Sequence, residues 1–202
     1  MALERVVLAT GNRGKVAEMR RVLAESGSPT VLLGLADLAA YDEPVENGAT
    51  FAENALLKAR ACVAATGLPA IADDSGLAVD ALNGMPGIFS ARWSGSHGND
   101  RANLELLLGQ LADVPDERRG ARFVCAAALV VPPAPAGLPA EAVFEASWRG
   151  RLIREPRGTN GFGYDPIFVP EGEQRTSAEL TPAEKDAASH RGQAFRLLAA
   201  AL

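Results

Sequence analysis

The order in which candidate strands and helices follow one another limits this chain most. Glu4 to Ala9 reads as a buried strand, and Lys15 to Ala24 carries apolar Val16, Met19, Val22 and Leu23 at helical spacing. Thr30 to Leu35 is a second short strand, followed by a polar loop from Tyr41 to Ala49. Thr50-Phe51-Ala52-Glu53 has the pattern of a capping box, in which the Thr50 hydroxyl accepts from the Glu53 N–H and Glu53 reaches back. Its helix is expected to run to about Thr66, where Gly67 stops it. Pro69 to Asp73 is a further strand entering the acidic stretch D-D-S-G, and Leu77-Ala78-Val79 is a short apolar piece after it. Asp100 caps a helix over Leu104, Leu107, Leu108 and Leu111. Two strands then come in succession, Phe123 to Val131 and Ala142 to Trp148, joined by the proline-rich loop Pro132 to Pro139. Early alternation followed by consecutive strands points to a mixed α/β sheet, not a purely parallel one. A second capping box, Thr181-Pro182-Ala183-Glu184, opens a helix expected to continue through Gly192 to the C-terminus.

With 202 residues, 48% of them hydrophobic, the chain suits one domain spanning residues 1–202 around a real core. A net charge of −5 argues against a nucleic-acid partner, which needs an excess of Lys and Arg. It leaves room for one local basic pocket and a small polyphosphate. Cys62 and Cys125 sit in apolar or alanine-rich segments and read as buried free thiols, with one disulfide as the alternative. His97 and His190 are too few and too far apart for a zinc motif. No charged-then-apolar leader opens the sequence and no apolar run is long enough to span a bilayer. A cytoplasmic protein with no membrane partner is the expectation.

Five segments carry candidate chemistry. In L-A-T-G-N-R-G-K, Leu8 to Lys15, a strand end runs through Gly11 and Gly14 into a helix N-terminus, where backbone N–H groups, Thr10, Asn12 and Lys15 can meet an anion. The spacing is neither a Walker A loop nor a dinucleotide fingerprint. A tight strand-to-helix turn with a solvated lysine is the alternative. In A-D-D-S-G, Asp73 and Asp74 leave a strand and meet a Ser-Gly turn. Strand neighbours point to opposite faces, so one carboxylate faces a given cleft while the other supports it. Such hard oxygens suit magnesium, and an Asx turn is the alternative.

Glu46 sits just before the capped helix, and on that helix Lys58 lies one turn after Asn54, on the same face. Solvated polar side chains are the competing reading there. In G-F-G-Y-D-P, Phe162 or Tyr164 is placed to stack on a base and Asp165 to hydrogen-bond a base or sugar, against an aromatic-filled turn. In K-D-A-A-S-H-R-G, Lys185 and His190 are five apart and do not share a face of a regular helix. His190-Arg191 taken alone reads as surface.

Together, L-A-T-G-N-R-G-K, E-N-G-A-T-F-A-E-N-A-L-L-K-A, I-A-D-D-S-G-L-A-V-D-A-L-N-G-M-P-G-I-F-S-A-R-W, F-G-Y-D-P-I-F and A-E-L-T-P-A-E-K-D-A-A-S-H-R-G-Q-A closely resemble the inosine triphosphate pyrophosphatase family, in order from about Val6 onward. The resemblance implies an elongated α/β fold with a long central mixed sheet flanked by helices, two lobes and a cleft between them. It implies a homodimer that hydrolyses non-standard purine nucleoside triphosphates (ITP, dITP, XTP, dXTP) to the monophosphate and pyrophosphate with Mg²⁺. Carried over by motif, Thr10, Gly11, Asn12, Arg13, Gly14 and Lys15 hold the phosphates with Lys58. Glu46 and Asp74 bind magnesium, Asp74 also activates water, Ser75 contacts substrate, and Asp73 supports the metal. Phe162, Gly163, Tyr164, Asp165, Lys185, His190 and Arg191 form the nucleoside pocket. The proline-rich loop and S-H-G-N, Ser96 to Asn99, carry no family role. A nucleotide-binding sensor without catalysis and a nucleic-acid or scaffold module are the competing functions.

Overall fold

The computed structural model of the protein describes residues 3–132 and 141–202. The proline-rich loop, apart from Pro132, lies outside the described residues. Six strands form one sheet in the order β2-β1-β3-β4-β5-β6, where β1 is Arg5–Leu8, β2 Val31–Gly34, β3 Ala70–Val79, β4 Gly120–Val130, β5 Glu141–Leu152 and β6 Phe168–Pro170. β1 pairs parallel with β2 (Arg5 opposite Val31) and with β3 (Val7 opposite Ala70), whereas β5 and β6 are antiparallel (Gly150 opposite Pro170). The sheet is therefore mixed, as the element order required. The helices are α1 Arg13–Ser26, α2 Phe51–Thr66, α3 Asp100–Gln110, α4 Pro182–Ala188 and α5 His190–Ala199. None among the described residues is long and apolar enough to cross a membrane.

The chain divides into two compact units, the first made of Met1–Asp74, Cys125–Ala146 and Arg191–Leu202, the second of Ser75–Val124 and Ser147–His190. In the first unit, side-chain alternation sorts each strand onto two cores. Val6, Leu8, Ile71, Cys125, Ala127 and Leu129 pack with Met19, Val22 and Leu23 of α1 and Ala194, Phe195 and Leu198 of α5. Their neighbours Val7, Ala9, Ala70, Ala72, Ala126 and Ala128 pack with Ala55, Ala59 and Cys62 of α2. Burial on both faces is why these strands read as continuous apolar runs. Both cysteines are free and buried. In the second unit, Leu77 and Val79 of β3, Leu104, Leu107 and Leu111 around α3, and Phe123, Trp148, Leu152, Ile167 and Phe168 form a separate core.

The predicted caps at Thr50 and Thr181 set their helix ends, but at α3 the cap is Asn99, one residue before the expected Asp100, its Oδ1 accepting from Ala102 N at 3.2 Å. Thr50 accepts from the Glu53 N–H at 3.1 Å, and Gly67 (φ 67°) closes α2, but the Glu53 carboxylate takes the N–H of Ala49, one residue before the cap. At α4 the box is reciprocal: Thr181 Oγ1 accepts from Glu184 N, and Glu184 Oε2 accepts from Thr181 N at 2.8 Å.

Two sequence expectations need correction. D-D-S-G is not a turn: β3 continues through it from Ala70 to Val79 and absorbs Leu77-Ala78-Val79. The Leu77 N–H is satisfied by Ser90 Oγ, and a Cβ on Gly76 would collide with Ser90 and with the Gly87 carbonyl. Tertiary packing holds extended a dipeptide that favours turns locally. The C-terminal helix is also not continuous. Ser189 takes extended backbone (φ −67°, ψ 156°) between α4 and α5, so helical spacing between Lys185 and His190 does not apply.

Candidate functional site

The first unit gathers its polar groups past the C-terminal end of β1 and around the middle of β3, where alternation sends the adjacent aspartates to opposite faces. Asp74 faces α2. Asn54 Nδ2 donates to Asp74 Oδ2 at 3.1 Å, and Lys58, one turn further along α2, places Nζ 3.6 Å from Asp74 Oδ1. The same ammonium lies 2.6 Å from Glu46 Oε1. Asn54 is fully buried, and its Oδ1 accepts from the Gly48 N–H at 2.8 Å. One amide thus ties the loop bearing Glu46 to the strand bearing Asp74. Gly48 is needed for this approach, since a Cβ there would stand 2.7 Å from Glu53 Cβ and 2.8 Å from Asn54 Oδ1.

Asp73 faces α1 and α5. Its Oδ2 receives Lys15 Nζ at 2.8 Å and Arg191 Nε at 3.3 Å, and Arg191 Nη1 is 3.6 Å from Glu18 Oε2. Asp73 Oδ1 has no hydrogen-bond partner among the described residues, although the residue is only 2% exposed.

Opposite environments move the two carboxyls in opposite directions. Burial alone would raise the Asp73 carboxyl, but Lys15 and then Arg191 hold it well below the usual carboxylate range. For Asp74 burial prevails. Lys58 and Asn54 counter it, Glu46 and Asp73 add to it, and the carboxyl is raised. Burial would lower the Lys58 ammonium, but Asp74, Asp73 and Glu46 keep it raised. Asp73 is thus a fixed anion, and Asp74 the better proton acceptor.

The opening loop is more committed than the sequence suggested. Asn12 caps α1, its Oδ1 accepting from the N–H of Gly14 at 2.8 Å and of Lys15 at 3.3 Å. Thr10 Oγ1 accepts from Asn12 N at 3.2 Å. Gly14 has an ordinary negative φ, but a Cβ there would lie 3.1 Å from Asn12 Oδ1. Gly11 has open space around it, and Arg13 begins α1. Lys15 is not a solvated lysine, since it ends on Asp73.

The second unit builds its own polar group around Asp165, which is buried. Its Oδ1 accepts from Ser177 Oγ at 2.7 Å, and its Oδ2 accepts from Phe162 N at 2.8 Å and is paired with Lys185. Gly161 (φ 76°) has no room for a Cβ beside Asp165 and Lys185. The carboxylate expected to meet a base or sugar instead braces the loop and its lysine. The two candidate aromatics divide: Tyr164 is buried with its hydroxyl donating to Ser90 O at 2.9 Å, while Phe162 is 52% exposed with Lys185 Nζ 5.6 Å from its ring centre. Gly163 N donates to Asp100 Oδ2 at 2.9 Å. His190 and Arg191 are buried, not surface residues, and the His190 ring stacks on Phe123 at 4.9 Å. Ser75 is a half-buried residue of β3.

The structure therefore joins Glu46, Lys58 and Asp74 in one cluster, Lys15, Asp73 and Arg191 in a second, and Phe162, Asp165 and Lys185 in a third. Sequence reasoning missed Asn54 and Glu18 as members. The available signal for Asn54 was an amide at an inward position of α2, one turn before Lys58. Glu46 and Asp74 fit a hard divalent cation: both are oxygen donors, and one ammonium already contacts the two. No cluster of three or more His, Cys, Asp or Glu among the described residues could hold a metal. A metal here would take its remaining ligands from substrate oxygens and water, as magnesium usually does.

Residues 6–201 match the model of the Ham1 family. A dITP/XTP pyrophosphatase of Nocardia farcinica is 61% identical over 100% of this chain and 96% of its own length. One of Streptomyces coelicolor is 58% identical over 97% and 96%. Among solved structures, a nucleoside-triphosphatase / dITP/XTP pyrophosphatase of Mycobacterium abscessus matches with a TM-score of 0.78 at 57% identity, covering 96% of this chain and 98% of that one. A HAM1 protein from Coxiella burnetii matches with a TM-score of 0.86 at 42% identity, covering 99% and 98%.

Proposed function

The chain belongs to the Ham1 family, and from that premise we propose that it hydrolyses non-standard purine nucleoside triphosphates, dITP, ITP, XTP and dXTP, to the monophosphate and pyrophosphate. The observation that carries the reading is the Glu46–Lys58–Asp74 cluster, two carboxylates and an ammonium braced by a buried amide. Water attacks the α-phosphorus and pyrophosphate leaves, so negative charge grows on the leaving oxygens. Lys58 and Lys15 stabilise that charge, with the Thr10–Lys15 loop at the N-terminus of α1. Asp73 keeps the Lys15 ammonium in place. Asp74 accepts the proton of the attacking water. Magnesium held by Glu46 and Asp74 would neutralise phosphate charge and acidify a bound water.

The nucleoside is assigned to Phe162, Gly163, Lys185 and His190, with Ser75 at the substrate. Phe162 offers an exposed ring for stacking. Asp165 holds Lys185, whose ammonium only donates; it accepts from a 6-amino group nothing and gives a 6-oxo group a hydrogen bond. That asymmetry selects hypoxanthine and xanthine over adenine. A cytoplasmic homodimer that cleanses the nucleotide pool belongs to the same proposal and rests on the family; sedimentation of the purified protein tests the dimer.

Pyrophosphate release from dITP, XTP, dGTP, dATP and dUTP, with Mg²⁺ and with chelator, tests the function in wild type and Asp74→Asn. Fast cleavage of dITP and XTP alone, dependent on metal and lost in the variant, is expected. Cleavage of no triphosphate, or equal cleavage of dATP, would overturn it.

A further inference from the structure

We infer that Lys58 is a tethered competitor for magnesium, an ammonium that yields the Glu46–Asp74 pair to the metal when nucleotide phosphate takes it up. The inference rests on the reading of those carboxylates as metal ligands and goes beyond it. Lys58 Nζ lies 2.6 Å from Glu46 Oε1 and 3.6 Å from Asp74 Oδ1. Asn54 draws Asp74 Oδ2 toward itself, so Oδ1 is the oxygen turned to the ammonium. The lysine therefore contacts the carboxylates that a divalent ion would use. Two cations cannot share those oxygens at contact distance without strong repulsion.

The backbone of Lys58 is fixed in the middle of a capped helix, whereas its head sits on a flexible four-carbon stem. The ammonium can therefore leave the pair only by swinging its stem, and it needs another anion to do so cheaply. The triphosphate is that anion. Before substrate arrives, the tethered charge holds the two carboxylates close and lowers their affinity for free metal. Once phosphate takes the ammonium, the pair is open to the ion that accompanies the nucleotide. Metal and nucleotide then bind cooperatively, each raising the other's affinity by the same factor. The device keeps the site from filling with metal alone.

Calorimetric titration of MgCl₂ into nucleotide-free protein tests this, in wild type and in Lys58→Met, which keeps the stem and removes the charge. The variant is expected to bind Mg²⁺ roughly tenfold more tightly than wild type, within the usual span of coupling factors. Its melting midpoint should also rise more on adding Mg²⁺. A second measurement needs no variant: acetylation of lysines in wild type, read by peptide mass spectrometry, should show Lys58 labelled several times faster once Mg²⁺ is saturating. Unchanged or weaker Mg²⁺ binding in Lys58→Met, or Lys58 labelling indifferent to Mg²⁺, refutes the competitor. If wild type meanwhile releases pyrophosphate with magnesium, the function stands without it. If neither protein binds Mg²⁺ and wild type releases no pyrophosphate, the metal reading falls and takes this inference with it.

Discussion

Asp73 and Asp74 are adjacent carboxylates, yet removing the charge of each is expected to move stability in opposite directions. Asp73 Oδ2 lies 2.8 Å from Lys15 Nζ and 3.3 Å from Arg191 Nε. At an effective dielectric constant of about 20, Coulomb's law gives about 6 kcal/mol for the first pair and about 5 kcal/mol for the second. Desolvation of the buried Asp73 and Arg191 and the half-buried Lys15 offsets several kcal/mol per ion, so the intact cluster is worth little net. Breaking it is another matter. Asp73→Asn keeps the shape but leaves Lys15 facing an amide and Arg191 with Glu18 as its remaining carboxylate, which costs about 3–5 kcal/mol. For a chain of this length that lowers the melting midpoint by about 6–20 °C.

Asp74→Asn instead removes a buried negative charge beside Glu46 and Asp73. The new amide can still accept from Asn54, and Lys58 keeps Glu46. Its midpoint is expected to stay within about 2 °C of wild type or to rise, a change of under about 1 kcal/mol. The signs with pH follow from linkage. Asp73, depressed, contributes stability that is present above its unfolded value of about 3.9 and lost as pH falls toward its folded value. Asp74, raised, costs stability at neutral pH, and that cost disappears as pH falls through its folded value. Scanning calorimetry of both variants in chelator-containing buffer, repeated across the acid range, is the assay. If Asp74→Asn melts as low as Asp73→Asn, or Asp73→Asn melts with wild type, the argument from opposite environments is wrong.

Asn54→Leu should leave the Gly48 N–H and Asp74 Oδ2 without their amide partner, costing about 1–3 kcal/mol by urea denaturation, and pyrophosphate release should fall with it. Gly48→Ala should force the Glu46 loop outward and raise the Mg²⁺ concentration needed for half-maximal activity, with little change in the rate at saturating metal. Asp165→Asn should loosen Lys185 and the Phe162 backbone together, lowering kcat/KM for dITP by roughly tenfold and narrowing its margin over dATP, the loss of a charged hydrogen bond.

Much of this protein was legible locally. The first two strands and helices, the Thr50 and Thr181 caps and the glycine stop at Gly67 depend on residues within a few positions of one another, and each is where the sequence placed it. The separation of Asp73 from Asp74 onto opposite faces also followed from local geometry, because alternation is a property of any strand. Other features were decided by partners far along the chain. D-D-S-G extends as a strand because Ser90 and the Gly87 carbonyl close over Gly76. Tyr164 goes inward and Phe162 outward because Ser90 accepts the tyrosine hydroxyl. The Lys15–Asp73 contact spans 58 residues and the Asp73–Arg191 contact 118. Propensity and capping are short-range terms, which a window of sequence contains whole. The charge state and partner of a buried side chain depend on which distant groups share its low-dielectric surroundings, and only the folded chain brings those groups together.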